Sequence, residues 1–160
     1  MTSFSSMRGI LMFLIALCSS SVHQPIRIPT FTASIENIEA KDGISHIFVK
    51  TDIINNSPDA IAYLSMSCSW DEFYFTDTNN VDIKKRQMCY LNGFEIVKIS
   101  PHNKEEKILE LIYKGEPETI RFKIGFNYCP INPIILMQSA HSKIRGNFIL
   151  WSYRLEADIK

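Results

Sequence analysis

The stretch at residues 120–127 reads Ile120-Arg121-Phe122-Lys123-Ile124-Gly125-Phe126-Asn127. Every second side chain in it is apolar, and the side chains between are charged, small or polar. A period of two is typical of a β-strand that buries one face and exposes the other to water. The alternation recurs near the C-terminus, where one strand face would be formed by Ile149, Trp151, Tyr153 and Leu155.

Two dipeptides carry the strongest turn signals. Asp42-Gly43 and Asn92-Gly93 combine residues that tolerate positive φ at both centres of a tight turn, as a two-residue hairpin loop requires. Each dipeptide lies between two apolar runs, so each predicts a β-hairpin. The runs are Phe31–Ala40 with Ser45–Ile54, and Ile83–Tyr90 with Phe94–Ile99.

Further short strands are indicated at Ala60–Ser65, Phe73–Thr76 and Lys107–Tyr113, separated by polar turn residues. All these segments together predict seven to nine strands, and no apolar helical stretch is long enough to cover a sheet. Each apolar strand face then needs a second sheet to cover it. We therefore expect an all-β, immunoglobulin-like antiparallel sandwich of two sheets, with a small barrel or a jelly roll as the alternative.

The first 21 residues differ from the rest of the chain. Arg8 is their only charge, and the apolar run Ile10–Leu17 is followed by the serines at 19–21. A positive start, a short apolar run and small polar residues form the pattern of a cleaved export signal, and a membrane span would need roughly 20 apolar residues. We expect residues 1–21 to be a signal peptide and residues 22–160 to form one domain. That domain would work in the periplasm, in the envelope or outside the cell.

Cys18 allows two cleavage chemistries. The segment Ile15-Ala16-Leu17-Cys18 resembles a bacterial lipobox, in which the cysteine is acylated and becomes the mature N-terminus, although a small residue is usual where Leu17 stands. Cleavage after a small residue between Cys18 and Ser21 would release an unanchored protein instead. Lipidation of Cys18 and removal of Cys18 both stay open.

Three cysteines follow the signal, and two of them are expected to pair in an oxidising compartment. We favour Cys68 with Cys89 because turn-like sequence flanks both, and closing that loop would stabilise the fold by about 3 kcal/mol in the chain-entropy model. Cys129 precedes Pro130 at the end of an apolar strand and is then expected to be buried.

Charge gives little indication of a partner. The chain has 17 basic and 17 acidic residues, a balance that offers no electrostatic basis for binding nucleic acid or an anionic membrane. The basic cluster Lys84-Lys85-Arg86 is interpreted as a solvated edge rather than a phosphate site, and Asp71-Glu72 as a solvated loop rather than a calcium site. Membrane association would come only from a lipid on Cys18.

No pattern of residues predicts catalysis, a metal or a cofactor. The histidines are scattered rather than paired at metal-ligand spacing. Serine-nucleophile motifs are absent, and the cysteines are expected to be oxidised or buried. We expect no catalytic residue, although a carboxylate pair assembled from distant strands would leave no sequence signal.

Aromatic residues cluster beside Cys68. Phe73 and Phe75 are expected to point into the core, and Trp70 to pack on the disulfide. Trp70 and Tyr74 are the candidate binding aromatics, because flat amphipathic side chains anchor sugars and protein partners, and Tyr74 lies on the opposite face of its strand.

The segments Asn55–Trp70 and Lys123–Asn127, with Asp77 between them, resemble small uncharacterised exported domains of bacterial envelope proteins. The resemblance implies an immunoglobulin-like sandwich and an envelope location, and it assigns no catalytic residue. We expect a non-catalytic binding or structural module for a protein or glycan partner, with an apolar or aromatic patch on loops at one end. Two alternatives stay open: an inhibitor that presents the connection Pro130–Gly146 to a secreted protease, and a small hydrolase with a site assembled from distant residues.

Overall fold

The computed structural model describes residues 26–86, 92–131 and 148–159. Within these ranges the chain forms eleven β-strands and one short 3₁₀ helix, η1, and no α-helix. The elements are β1 Thr30–Lys41, β2 Ile44–Ile54, β3 Ile61–Met66, η1 Trp70–Phe73, β4 Tyr74–Thr76, β5 Val81–Ile83, β6 Phe94–Ile99, β7 Lys104–Tyr113, β8 Thr119–Phe122, β9 Ile124–Tyr128, β10 Phe148–Trp151 and β11 Leu155–Asp158.

The first sheet is antiparallel and has the strand order β1-β2-β7-β5. Its β1–β2 hairpin turns at Asp42 and Gly43, whose φ angles are 53° and 74°. Positive φ at both central residues is the requirement of the type I′ turn, whose twist matches that of the strands it joins. The hairpin predicted from Asp42-Gly43 is confirmed.

The second layer is built around β9, which pairs with β10 on one side and with β4 on the other. A bridge between Tyr63 and Pro130 places β3 on the same side of this strand as β4, and the N–H of Leu64 donates to the Cys129 carbonyl at 2.9 Å. β6 pairs with β3, and β8 pairs with β11. The described strands therefore form a two-layer, all-β sandwich, and none of their sheets closes on itself.

The strand order follows the immunoglobulin pattern. In the first sheet the neighbouring strands β1, β2, β7 and β5 correspond to strands A, B, E and D of the immunoglobulin fold. In the second layer the neighbours β4, β9 and β10 correspond to strands C, F and G. β6 is an additional strand beside β3. The count exceeds the expected seven to nine because two long strands are interrupted, one at Lys123 between β8 and β9 and one at residues 152–154 between β10 and β11.

Both inner faces supply the core, whose centre is aromatic. The Phe126 ring lies 5.8 Å from that of Phe31, 5.5 Å from that of Tyr63 and 4.8 Å from that of Tyr74. The predicted alternation is confirmed at residues 120–126, since every apolar member of the set is buried: Ile120, Phe122, Ile124 and Phe126.

Asn92-Gly93 does not form the predicted tight turn, since neither residue has positive φ, and residues 87–90 of the predicted first strand lie outside the described residues. The strand before it, β5, belongs to the first sheet, and the strand after it, β6, pairs with β3. Asn92 instead ties down the segment that leaves β3: its Oδ1 accepts hydrogen bonds from the N–H groups of Cys68 and Ser69, and its Nδ2 donates to the Ser69 hydroxyl at 2.7 Å. The Asn92 side chain therefore holds a loop in place through hydrogen bonds instead of forming a turn.

Within the described residues no helix has the length and apolar character needed to cross a membrane.

Candidate functional site

A concave site lies where β5 leaves the edge of β7. β5 pairs with residues 111–113, and the Lys84 N–H donates to the Glu110 carbonyl at 2.8 Å. The chain then turns to η1, where the Arg86 N–H donates to Asp71 Oδ2 at 2.8 Å. This departure opens a pocket of about 350 Å³, which we call the Trp70 pocket. Residues that line it include Trp70, Asp71, Lys85, Arg86, Ile108 and Glu110.

Trp70 forms one wall and is contacted by two cations. The Arg86 guanidinium carbon lies 4.6 Å from the centre of the indole ring, and the Lys107 ammonium lies 5.4 Å from it. The Tyr74 ring meets the indole edge-on at 5.8 Å. Because cations over an indole are held electrostatically by the ring, these contacts fix the orientation of Trp70 and occupy ring surface that a sugar would need.

Asp71 is the unusual residue of the pocket, because its acidic side chain is buried. Its side chain is 2% exposed, so the prediction of a solvated loop at Asp71-Glu72 is wrong for Asp71. Oδ2 accepts the Arg86 N–H, but Oδ1 has no hydrogen-bond partner in the part of the chain that the structure describes. A buried carboxylate oxygen without a donor costs about 1–3 kcal/mol, and more when it is charged, so such atoms are rare unless something else satisfies them.

Lys84, Lys85 and Arg86 are exposed, and the ammonium groups of Lys84 and Lys85 donate hydrogen bonds to the protein. Lys84 Nζ donates to Glu110 Oε1 at 2.8 Å, and Lys85 Nζ donates to the carbonyls of Asp71 and Tyr74 at 2.7 and 3.3 Å. Desolvation lowers the pKa of Lys85. The exposure of all three residues agrees with the interpretation as a solvated edge. Lys84 and Lys85 have internal partners as well, whereas Arg86 has no carboxylate partner among the described residues.

Glu110 is an engaged carboxylate. Besides Lys84 it contacts His46, whose Nδ1 lies 2.7 Å from Glu110 Oε1. The pKa of Glu110 is lowered, chiefly by the hydrogen bond from Lys84. Among the residues that the structure describes, no group of three or more His, Cys, Asp and Glu side chains could hold a metal ion.

The aromatic candidates are separated by the structure. Trp70 lines the pocket, as a binding aromatic would, but Tyr74 is 3% exposed and lies in the core. Tyr74 is therefore not an accessible binding residue. The cause is η1: its tight turn ends at Phe73 and sets the strand that follows so that Tyr74 points inward and Phe75 outward.

The cysteine predictions fall partly outside the described residues. Cys18 and Cys89 are not among them, so lipidation and the pairing of Cys68 with Cys89 stay predictions. Cys129 is buried, as expected, and burial raises its pKa. A raised pKa keeps a cysteine in the thiol form, which is the less nucleophilic one.

A second feature is an apolar area on the outer face of the second layer, which we call the outer face. Phe75 and Trp151 both lie opposite Gly125 in register, and their rings meet edge-on at 5.1 Å. Ile149 is exposed beside them. The predicted C-terminal alternation is thus wrong for Ile149, Trp151 and Tyr153, which are exposed, and correct for Leu155, which is buried. This apolar patch lies on strands, whereas residues 132–146 of the long predicted loop lie outside the described residues.

Gly125→Ala tests this packing. A Cβ at Gly125 would lie 2.5 Å from Phe75 Cε2, so we expect the free energy of unfolding to fall by about 1–3 kcal/mol from overpacking. Urea denaturation measures the loss. Gly93→Ala is the control, because nothing lies within 4 Å of a Cβ at that position. Equal stability of the two variants would contradict the ring contact.

Apart from Trp70, the residues that line the pocket were not predicted as site residues from the sequence, because they come from three separate segments. In the sequence Asp71 is one of two adjacent acidic residues, and such a pair usually indicates an exposed loop. Asp71 is buried because it lies in η1 and accepts a hydrogen bond from the Arg86 N–H. No sequence motif predicts either the helix or this hydrogen bond.

Comparison with known proteins gives no family for this chain. No family model matches it, and no curated protein matches it. Among solved structures, the crystal structure of a protein from Archaeoglobus fulgidus is similar with a TM-score of 0.34 and 9% identity, over 82% of this chain and 94% of that chain. A likeness this distant supports no statement about function.

Proposed function

We propose that this protein is an exported, non-catalytic binding module of the bacterial envelope or secreted proteome, and that it holds a protein partner in the Trp70 pocket. The observation that carries the proposal is Asp71, a buried residue that lines the pocket and has one carboxylate oxygen without a donor among residues 26–86, 92–131 and 148–159. Pockets that combine an aromatic wall with a few convergent polar groups are the usual form of a binding site. A protein partner is favoured over a glycan because two cations already contact the Trp70 ring.

The same proposal includes the export signal at residues 1–21 and a disulfide between Cys68 and Cys89. The turn-like sequence that flanks both cysteines supports the pairing. A covalent link there would hold the segment between β3 and η1, and with it Trp70 and Asp71, in place.

A small hydrolase is the second candidate, since Asp71 and Glu110 both line the pocket. General acid catalysis needs a carboxyl group that holds its proton near the working pH. Glu110 is unsuited to that role because its hydrogen bond from Lys84 favours the ionised form. The inhibitor alternative rests on the connection Pro130–Gly146, of which residues 132–146 lie outside the described residues, so that alternative stays a prediction.

Photo-crosslinking in the native host tests the binding site. Ile108 lines the pocket and is 54% exposed, whereas Ile149 lies on the outer face and is 55% exposed. With a photoreactive phenylalanine at each position in turn, we expect one discrete adduct from position 108, which disappears when Arg86 is also replaced by alanine. An adduct from position 149 and none from position 108 would instead place the partner on the outer face and overturn the proposal.

Intact mass of the protein purified from its native host tests export. We expect a chain that begins at Cys18 with acyl groups, or one that begins between Ser19 and Val22. Alkylation before and after reduction should add one and three labels to a chain that has lost Cys18, in agreement with one disulfide. A mass that begins at Met1 would contradict export, and three labels without reduction would contradict the pairing.

A further inference from the structure

Two residues that line the Trp70 pocket, Asp71 and Arg86, each have an unmet requirement. Asp71 Oδ1 is a buried acceptor that has no donor among the described residues. Arg86 is a cation with no carboxylate partner among the described residues; its backbone N–H donates to Asp71 Oδ2, and its guanidinium carbon lies 4.6 Å from the centre of the Trp70 ring. A ligand that satisfies both must carry an N–H group and an anionic group.

Arg86 favours a carboxylate as that anionic group. When the flat face of a guanidinium lies over an aromatic ring, the N–H groups along its edge stay available. Two of them can donate parallel hydrogen bonds to the two oxygens of one carboxylate. Lys84 does not compete for the ligand, since its ammonium is already paired with Glu110 at 2.8 Å.

Asp71 disfavours a simple phosphate. An oxyanion that lacks an N–H would leave Oδ1 unsatisfied and would bring a second negative charge toward the carboxylate. An amide N–H supplies the missing donor without adding charge. A peptide offers both groups, because its backbone carries N–H donors and an acidic side chain carries the carboxylate.

The walls of the pocket suit an extended peptide. β5 covers the edge of β7 only at residues 111–113, and among the described residues no strand pairs with that edge at residues 104–109. Ile108 offers an apolar contact beside it. A volume of about 350 Å³ is at the small end for ligand pockets, which fits one acidic residue with its neighbouring peptide groups.

We infer that the Trp70 pocket binds an acidic peptide segment of its partner, with the acidic side chain on Arg86 and a backbone N–H on Asp71 Oδ1. This inference rests on the proposed function and names the chemistry of the partner.

The test is an NMR titration of the purified exported protein with three probes. The first is an acetylated, amidated pentapeptide with a central glutamate between glycines, the second is the same peptide with glutamine, and the third is inorganic phosphate. We expect the glutamate peptide to shift the Trp70 indole signal with at least 10-fold higher affinity than the glutamine peptide. Arg86→Ala should remove this preference, and Arg86→Lys should keep part of it because charge remains but the fork is lost.

Arg154→Ala is the matched control, since Arg154 is exposed and lies outside the pocket. It should leave both affinities unchanged. Equal affinity of the two peptides for the wild type, tighter binding of phosphate than of the glutamate peptide, or no shift of the Trp70 signal with any probe would each overturn the inference. If position 108 still crosslinks a partner in the host, the proposed function survives that failure; if it does not, both fail.

Discussion

Replacing Asn55 with alanine is expected to lower the free energy of unfolding by about 3 kcal/mol. Asn55 is 1% exposed, and its Nδ2 donates to the carbonyls of Asp59, Ile99 and Ser100 at 2.8 to 3.1 Å. Its Oδ1 accepts from both the N–H and the hydroxyl of Ser57. Truncation would leave several of these buried groups without partners and would free the loop between β2 and β3.

The neighbouring Asn56→Ala is the control for this substitution. Asn56 is exposed, and its side chain makes one hydrogen bond, to the Thr30 hydroxyl. We expect a loss of less than about 1 kcal/mol from it. Urea denaturation of both variants measures the difference, and similar losses for the two would show that the Asn55 contacts do not hold the loop.

Alkaline pH is expected to unfold the protein steeply. Burial raises the pKa of Tyr63 and Tyr74 far above the usual value and raises that of Tyr128 to about 12. Above pH 10 the unfolded chain releases these protons while the folded chain retains them. Stability is therefore full below pH 10 and falls as the pH rises toward the folded pKa values, by roughly 1.4 kcal/mol per pH unit for each tyrosine and about 4 for the three together.

The measurement is the free energy of unfolding by urea at several pH values between 10 and 12. Tyr128→Phe supplies the comparison, because the Tyr128 hydroxyl makes only a long contact, 3.3 Å, to the Arg27 carbonyl. Its slope should be shallower than that of the wild type by about 1.4 kcal/mol per pH unit. A stability that stays constant from pH 10 to 12 would contradict the burial of these hydroxyls.

The parts of the fold that could be predicted from sequence are those set by local chemistry. The Asp42-Gly43 turn was predictable because few dipeptides allow positive φ twice in succession. The burial of alternate residues at 120–126 was predictable because one face of that segment is charged or small and the other is not. Both signals lie within a few residues of the feature they specify.

The predictions that failed depend on contacts distant in sequence. Apolar residues occupy both faces of β10, so the period alone did not indicate that Ile149 and Trp151 face outward. Their position follows from pairing with β9, where Gly125 leaves room for the Phe75 and Trp151 rings. Asn92 likewise takes its role from Ser69 on a distant segment. Sequence periodicity carries no information about such partners.

The affinity of the glutamate pentapeptide for the Asp71→Asn variant tests the central claim that the Trp70 pocket is a binding site. An asparagine keeps an oxygen to accept the Arg86 N–H, so the fold should retain its stability to within about 1 kcal/mol. The other atom becomes a donor and can no longer accept an N–H from a ligand. We predict at least a 10-fold loss of peptide affinity in a folded variant. An unchanged affinity would show that the unpartnered oxygen of Asp71 has no part in binding and would contradict the account.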